Sequence, residues 1–258
     1  MKNTPSPEYR APALEKGLEI LELLATQAEP LSKKQIAEKL GRSVNEIFRM
    51  LLLLEQKNYL GYDLDSATYS LTLKMFTLSN QHPPIALLLK QAPALLEQLC
   101  DRVNQSCHLS HYQHGELVVI ARQESPYKMG FSLRLGAKLS ICNSGSGIIL
   151  LAYSNPQQRN QILAQLEDTA DEKNQALAVL EQTLAQGYFV GPSPQISGVT
   201  NISVPILNVH GGLLAVATIP FLSLNENTVH HPVDDLEHTR QQLLKMAKKL
   251  SHNLSLEA

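Results

Sequence analysis

No run in the 258-residue sequence approaches the ~20 consecutive apolar residues that a membrane span needs, so no membrane-spanning helix is expected. Met1 to Arg10 carries prolines and polar residues without an apolar stretch, which predicts no secretory leader and a cytoplasmic location. Cysteine is equally scarce. Cys100, Cys107 and Cys142 form no CxxC pair, so neither a disulfide framework nor a zinc ribbon is indicated, and the expectation is reduced thiols with no metal. A net charge of -2 gives no whole-molecule attraction for nucleic acid, and any such contact must come from a locally basic surface. P-loop, dinucleotide fingerprint and HExxH are all missing, which argues against an enzyme and implies no cofactor. There is no internal repeat and no low-complexity segment, so neither a solenoid nor a tail is expected.

The composition is 43% hydrophobic and 18% charged, an ordinary globular balance, and the length favours two domains. Leu14, Leu18, Leu21 and Ala25 recur at helical spacing after Pro12, and Glu29-Pro30 closes that segment. Ser32 followed by Gln35, with Leu31 and Ile36 as a hydrophobic staple, starts a second helix at Lys33 that stops at Gly41. Ser43 followed by Glu46 starts a third, striped by Ile47, Leu51 and Leu54 and ending near Lys57. Two short capped helices around a glycine turn form a helix-turn-helix pattern. The aromatic-rich segments 59–62 and 69–71, separated by polar Asp63 to Thr68, predict a two-stranded wing.

Helical patterns follow at Leu73 to Leu78 and at Ile85 to Val103, where Pro93 is expected to kink or split the helix; His82-Pro83-Pro84 marks the domain linker. Beyond it, Cys107 to Tyr112 and Leu117 to Ala121 read as a hairpin around His114-Gly115, and Phe131 to Leu135 as another strand. Helices are predicted at 144–153, 156–166 and 172–186, the last stopped by Gly187. A second hairpin joins Ile202–Leu207 to Leu213–Ile219, and Val233 to Leu250 closes the chain as an amphipathic helix. This mixture indicates an α+β protein. The expected division is a winged helix-turn-helix at 1–80, a linker helix region at 81–104 and an α/β domain at 105–258.

In a helix-turn-helix the second helix enters the major groove, so its polar face reads bases. Asn45 and Arg49 lie four apart, opposite the apolar stripe; Asn pairs with adenine and Arg with guanine, each worth roughly 1 to 3 kcal/mol of discrimination. Lys33 and Lys34 at the start of the second helix, with Arg42 and Ser43 in the turn, suit phosphate contacts. Phe48 and Phe76 read as packing residues. In the opposing reading, the three helices are a small bundle and the lysines a solvated face.

The segment from Ile141 to Gly147 precedes an apolar helix, and Ser144, Gly145 and Ser146 suit a carboxylate or phosphate at a helix amino terminus. The same small residues equally permit a tight turn and close helix–sheet packing. Cys142 beside that terminus is either an inert buried thiol or, with a lowered pKa, a redox sensor or nucleophile. Cys107, His108, His111 and His114 cannot form one tetrahedral metal site locally: Cys107 and His111 lie about 13 Å apart on a strand, with His108 on its other face.

The stretches ALEKGLEILELLA, LSKKQIAEKLGRSVNEIFRMLLLLEQKNYL and TYSLT resemble the winged helix of the IclR (isocitrate lyase regulator) family of transcription factors. APALLEQLCDRVNQS, RLGAKLSICNSGSGIILLAY and GVTNISVPILNVHGGLLAVATI are similar to that family's effector domain. The resemblance implies a GAF-like ligand domain, a homodimer or tetramer, near-palindromic double-stranded operator DNA and a small-molecule effector, with a small organic acid as the natural guess. It places a recognition arginine at Arg49 and effector-lining groups at Cys142, Ser144, Asn201, Ser203 and Thr218. The chain departs from the family at Cys142, where His is common, at Ile148, where Lys is, and at Pro194 and Gln195, where an acidic residue often stands. Family wings often bear arginines; Asp63 to Thr68 has none, so the helix is expected to dominate binding. A regulator without an effector is the alternative.

Overall fold

A computed structural model describes residues 11–81, 85–128, 130–223 and 235–256, and the chain divides between residues 83 and 84 into two compact units. The predicted linker His82-Pro83-Pro84, residues 1–10 and Val233 lie outside the described residues.

In the first unit, α1 (Pro12–Ala25), α2 (Lys33–Lys39) and α3 (Val44–Gln56) enclose a core of Ile20, Leu24, Ile36, Ile47 and Leu51. Burying each of these side chains stabilises the unit by about 1.5 to 3 kcal/mol relative to exposure. Both capping boxes form: Ser32 Oγ accepts from the Gln35 amide and Ser43 Oγ from the Glu46 amide, each glutamine or glutamate side chain returning to the cap N–H. Gly41 takes φ +63°, the left-handed backbone the α2–α3 turn requires. Strands β1 (Leu31–Ser32), β2 (Leu60–Asp63) and β3 (Thr68–Leu71) form an antiparallel sheet in the order β1-β3-β2, and α4 (Lys74–Asn80) follows. The two-residue β1 escaped prediction because it is only the cap segment of α2 paired to the wing.

In the second unit, α5 (Ile85–Val103) runs through Pro93 as one helix rather than splitting there. Pro93 is exposed, while Leu88, Ala92, Leu95, Leu96, Leu99 and Val103 are buried, so packing of the opposite face offsets the lost hydrogen bond. The sheet order is β6-β5-β4-β9-β8-β7, with every pair antiparallel. Its strands are β4 (Cys107–Gln113), β5 (Glu116–Gln123), β6 (Lys138–Leu139), β7 (Phe189–Pro192), β8 (Val199–Leu207) and β9 (Leu213–Leu222). One face packs on α5 and the closing α10 (Leu236–Leu256) through Leu99, Leu109, Ala217, Ile202 and Leu250. The other lies under α6 (Gly145–Tyr153), backed by α7 (Pro156–Gln165), α8 (Ala170–Ala178) and α9 (Leu180–Gln186).

Two expectations need correction. Phe131 to Leu135 is irregular, not a strand: the edge of β5 is taken by the following turn, where Gly136 N donates to Val119 O and Val119 N to Ala137 O, and then by β6. The predicted helix 172–186 is two helices, α8 and α9, meeting at Val179, and Thr169 with Glu172 caps the first of them. Gly187, at φ +78°, ends the second as expected.

Candidate functional site

On α3 the exposed face carries Asn45, Phe48, Arg49 and Leu52, at the spacing of one helical stripe, and the opposite face buries Ile47 and Leu51. Asn45 and Arg49 are both exposed, as are Lys33 and Lys34 in the first turn of α2. Lys33 Nζ sits 5.0 Å from the centroid of the Phe48 ring. Phe48 is 40% exposed and Phe76 65%, so neither is the buried packing residue that hydrophobicity predicts. The spacing from Asn45 and to Arg49 was the signal that places Phe48 on the outer face.

Arg42 and Ser43 also hold the turn in place. The Arg42 guanidinium makes two hydrogen bonds to the Glu19 carboxylate, 2.7 Å each, which tie the α2–α3 turn to α1. That bond holds the Glu19 carboxyl below its usual range and raises Arg42 further. The Ser43 hydroxyl is committed to Glu46, whose pKa the Ser43 backbone and hydroxyl, with Lys16 at 3.4 Å, bring down to about 2. A phosphate contact from the Ser43 hydroxyl must give up these bonds, whereas the Arg42 guanidinium keeps N–H groups beyond the two that Glu19 takes, so it positions α3 and still has donors for a phosphate. In the wing, the Asp63 carboxylate accepts from the Asp65 and Ser66 amides and is held below its ordinary range by Ser66, so it shapes the turn beside the Tyr62 and Tyr69 rings, which meet tilted at 41°.

In the second unit, Ser144, Gly145, Ser146, Asn201 and Thr218 line one cavity, together with His108 and a wall of Phe131 and Leu133. Ser144 Oγ caps α6 by accepting from Gly147 N, which leaves the first-turn amides of Gly145 and Ser146 without an acceptor in the helix. Ser203 is sealed beneath the cavity: its Oγ lies 2.8 Å from Thr218 Oγ1, which in turn lies 2.9 Å from Ser146 Oγ. Both glycines are also packing residues. A Cβ on Gly145 would stand 2.5 Å from Ser203 Oγ, and one on Gly147 2.0 Å from Ile141 O.

His108 is the site residue sequence reading missed. It is 3% exposed and makes no hydrogen bond to any described residue, and burial alone pushes its pKa down to about 4. Strand pairing sets it beside Thr218 on β9 and Arg122 on β5. The Arg122 guanidinium turns to Glu124, Ser132 Oγ and Leu133 O, so it pins the irregular wall rather than the imidazole. The strand alternation that set His108 apart from Cys107 was the available signal. The cavity measures about 30 Å³, roughly the share of one water in the liquid.

Cys142 lines an adjoining cavity of about 200 Å³ with Ile148, Gln175, Val179 and Phe189, and Ser144 and Gly145 border both cavities. A helix amino terminus alone would lower its pKa; instead burial, with Asp168 nearby, pushes the thiol up to about 11. That removes the premise of a Cys142 redox sensor or nucleophile. The close sulfur pair is elsewhere: Cys100 and Cys107 Sγ are 3.3 Å apart, both buried between α5 and β4. No group of three or more metal-ligating side chains assembles among the described residues, and His111 Nδ1 pairs with Leu214 O. No described helix is long and apolar enough to cross a membrane.

Residues 85–252 match the family model for the bacterial transcriptional regulator IclR C-terminal domain, and residues 13–64 the IclR helix-turn-helix domain. The HTH-type transcriptional regulator KdgR of Escherichia coli is 26% identical over 211 residues, 80% of each chain. The crystal structure of the Thermotoga maritima IclR superposes with TM-score 0.71 at 23% identity, covering 93% of this chain and 98% of that one. An IclR homologue from Microbacterium hydrocarbonoxydans, crystallised with 4-hydroxybenzoate, gives TM-score 0.76 at 19% identity over 94% and 98% of the two chains.

Proposed function

Because the chain belongs to the IclR family of bacterial transcriptional regulators, we propose that α3 is its reading helix, with Asn45 and Arg49 on base edges of operator DNA and Lys33 and Lys34 on phosphates. The chain is a DNA-binding transcriptional regulator with a carboxy-terminal ligand-binding domain. The observation that carries the assignment is that Asn45 and Arg49 stand exposed on a helix whose start is fixed by a capping box and by the Arg42–Glu19 pair. In this reading the protein acts in the cytoplasm as a homodimer or tetramer, and paired α3 helices meet half-sites about one helical turn apart or a multiple of it. On a selected operator, Arg49→Ala loses specific affinity by about 5- to 150-fold and keeps its fold, whereas Lys33→Ala weakens binding to every duplex alike. Unchanged operator affinity in Arg49→Ala removes α3 from the reading role.

The effector in this proposal is a small organic acid held at the amino terminus of α6. The first-turn amides of Gly145 and Ser146, the Thr218 hydroxyl and the His108 ring converge there, a donor set that suits a carboxylate. The 4-hydroxybenzoate bound by a protein of the same fold is also a carboxylate. With room for about one water, the cavity admits an acid only when the Phe131 and Leu133 wall moves, and Arg122 holds that wall. Such a movement gives the ligand different affinities for two arrangements, the condition for coupling to DNA. Its small volume also favours a second reading, a regulator with no metabolite effector. Thermal unfolding with a panel of monocarboxylates separates them: a ligand of the native state raises the midpoint with concentration, and no change across the panel selects the second reading.

A further inference from the structure

Helix α6 lies across β7, β8 and β9, and a second cavity lies by its carboxyl end. It measures about 300 Å³, ten times the volume at the amino end, and the two share no lining residue. Ser110, Tyr112, Leu117, Leu150, Tyr153 and Val216 form its walls. Ser110 follows His108 by two residues on β4 and stands opposite Val216 on β9, so it faces α6 from the same side of the sheet. It is completely buried, yet its Oγ has no hydrogen-bond partner among the described residues. Leaving a buried hydroxyl unpaired costs free energy that a ligand oxygen would recover.

The charges around the cavity decide what it can take. None of its lining side chains is ionisable to a charge near neutral pH, and burial raises the Tyr153 phenol above its ordinary value. Arg159 is the nearby cation, and its guanidinium is spent on the last carbonyls of α6, donating to Leu151 O at 2.8 Å and Ser154 O at 3.1 Å. Those bonds offset the partial negative charge of the helix carboxyl end, and no lining side chain supplies a charge to pair with an anion or a cation. The opposite end of the same helix presents first-turn amides instead. For size, an apolar protein cavity of about 150 Å³ accommodates benzene, so about 300 Å³ holds a substituted ring.

We propose that this cavity is a second ligand site, distinct from the one at the amino end of α6, and that it binds a neutral ring-sized molecule bearing one hydroxyl, which pairs with Ser110. The ring packs on Leu117, Leu150 and Val216, and the hydroxyl gives the Ser110 oxygen its missing partner. Leu213 borders the cavity and is half-buried, so a larger side chain there fills the space from the rim without disturbing the sheet interior.

The test is calorimetric titration of the full-length protein with phenol, toluene and benzoate, with amide chemical shifts recorded alongside. Phenol is expected to bind saturably at one site per chain and to shift the Ser110, Leu214 and Val216 amides while leaving Gly145 and Ser146 in place. It should bind about fivefold to tenfold tighter than toluene, a preference that Ser110→Ala erases. Leu213→Trp should abolish phenol binding, and benzoate should leave the three amides unmoved. No saturable phenol binding, full binding to a folded Leu213→Trp, or benzoate shifting those same amides would each overturn the proposal.

Discussion

His108 makes the effector unit sensitive to acid in a calculable way. In the folded chain its ring is buried and neutral with a pKa of about 4, whereas in the unfolded chain it titrates near 6.5. Between these values the unfolded state holds the extra proton, so the free energy of unfolding rises with pH across the window from 4 to 6.5. The contribution is fully present above pH 6.5 and is lost as pH falls to 4. With each pKa unit worth about 1.4 kcal/mol, the loss from pH 7 to pH 4 is on the order of 3 kcal/mol, a large share of a typical domain's stability. The chain has no tryptophan, so unfolding is followed by far-ultraviolet circular dichroism in a urea series at each pH. Carboxylates also titrate here, with Glu46 and Asp63 both held low, and comparison with His108→Asn cancels them. The wild type should lose about 3 kcal/mol more than His108→Asn over this range. Parallel pH profiles would refute the buried neutral imidazole.

Three further outcomes follow from particular contacts. Phe48 stands between Asn45 and Arg49 on the exposed stripe, so it should pack on a thymine methyl; replacing the operative thymine by uracil should weaken wild-type binding about threefold to fivefold and leave Phe48→Ala unaffected. Arg42→Ala should lower operator affinity several-fold without changing the slope of log affinity against log salt, because its guanidinium is held by Glu19; a slope reduced by about one would make Arg42 a phosphate contact. Cys142 should react with iodoacetamide at pH 8 about two orders of magnitude more slowly than a free cysteine, as peptide mass analysis would show, and rapid labelling would contradict its raised pKa.

Much of the first unit was legible because its signals are local. Ser32 with Gln35 and Ser43 with Glu46 announce the two helices, Gly41 the turn between them, and the Ile47 and Leu51 stripe the buried face. What the sequence hid is pairing at a distance: Glu19, 23 positions before Arg42, takes the guanidinium that local reading gave to phosphate. Phe48, read as a packing residue, is turned to the exposed stripe by helical phase. In the second unit the hairpins were plain from alternation, but the short edge strands β6 and β7 depend on neighbours for their pairing and carry little pattern of their own. The same competition for an edge left Phe131 to Leu135 irregular and made it a cavity wall. Cys142 and Ser146 are four residues apart yet line different cavities, with Ser144 and Gly145 bordering both, because the chain turns into α6 between them. His108 gained its importance only from the sheet, which sets it beside Thr218 from a strand more than a hundred residues on.

The central claim is that α3 reads operator DNA in two-fold related copies. It is tested most directly by selecting bound sequences from a random duplex pool at a fixed near-physiological salt concentration, with the wild type and Arg49→Ala in parallel. The wild type should enrich a near-palindromic motif with half-sites about one helical turn apart or a multiple of that, and Arg49→Ala should lose the preference for one base pair in each half-site. Enrichment of no motif by the wild type, or of the same motif by both proteins, would contradict the assignment.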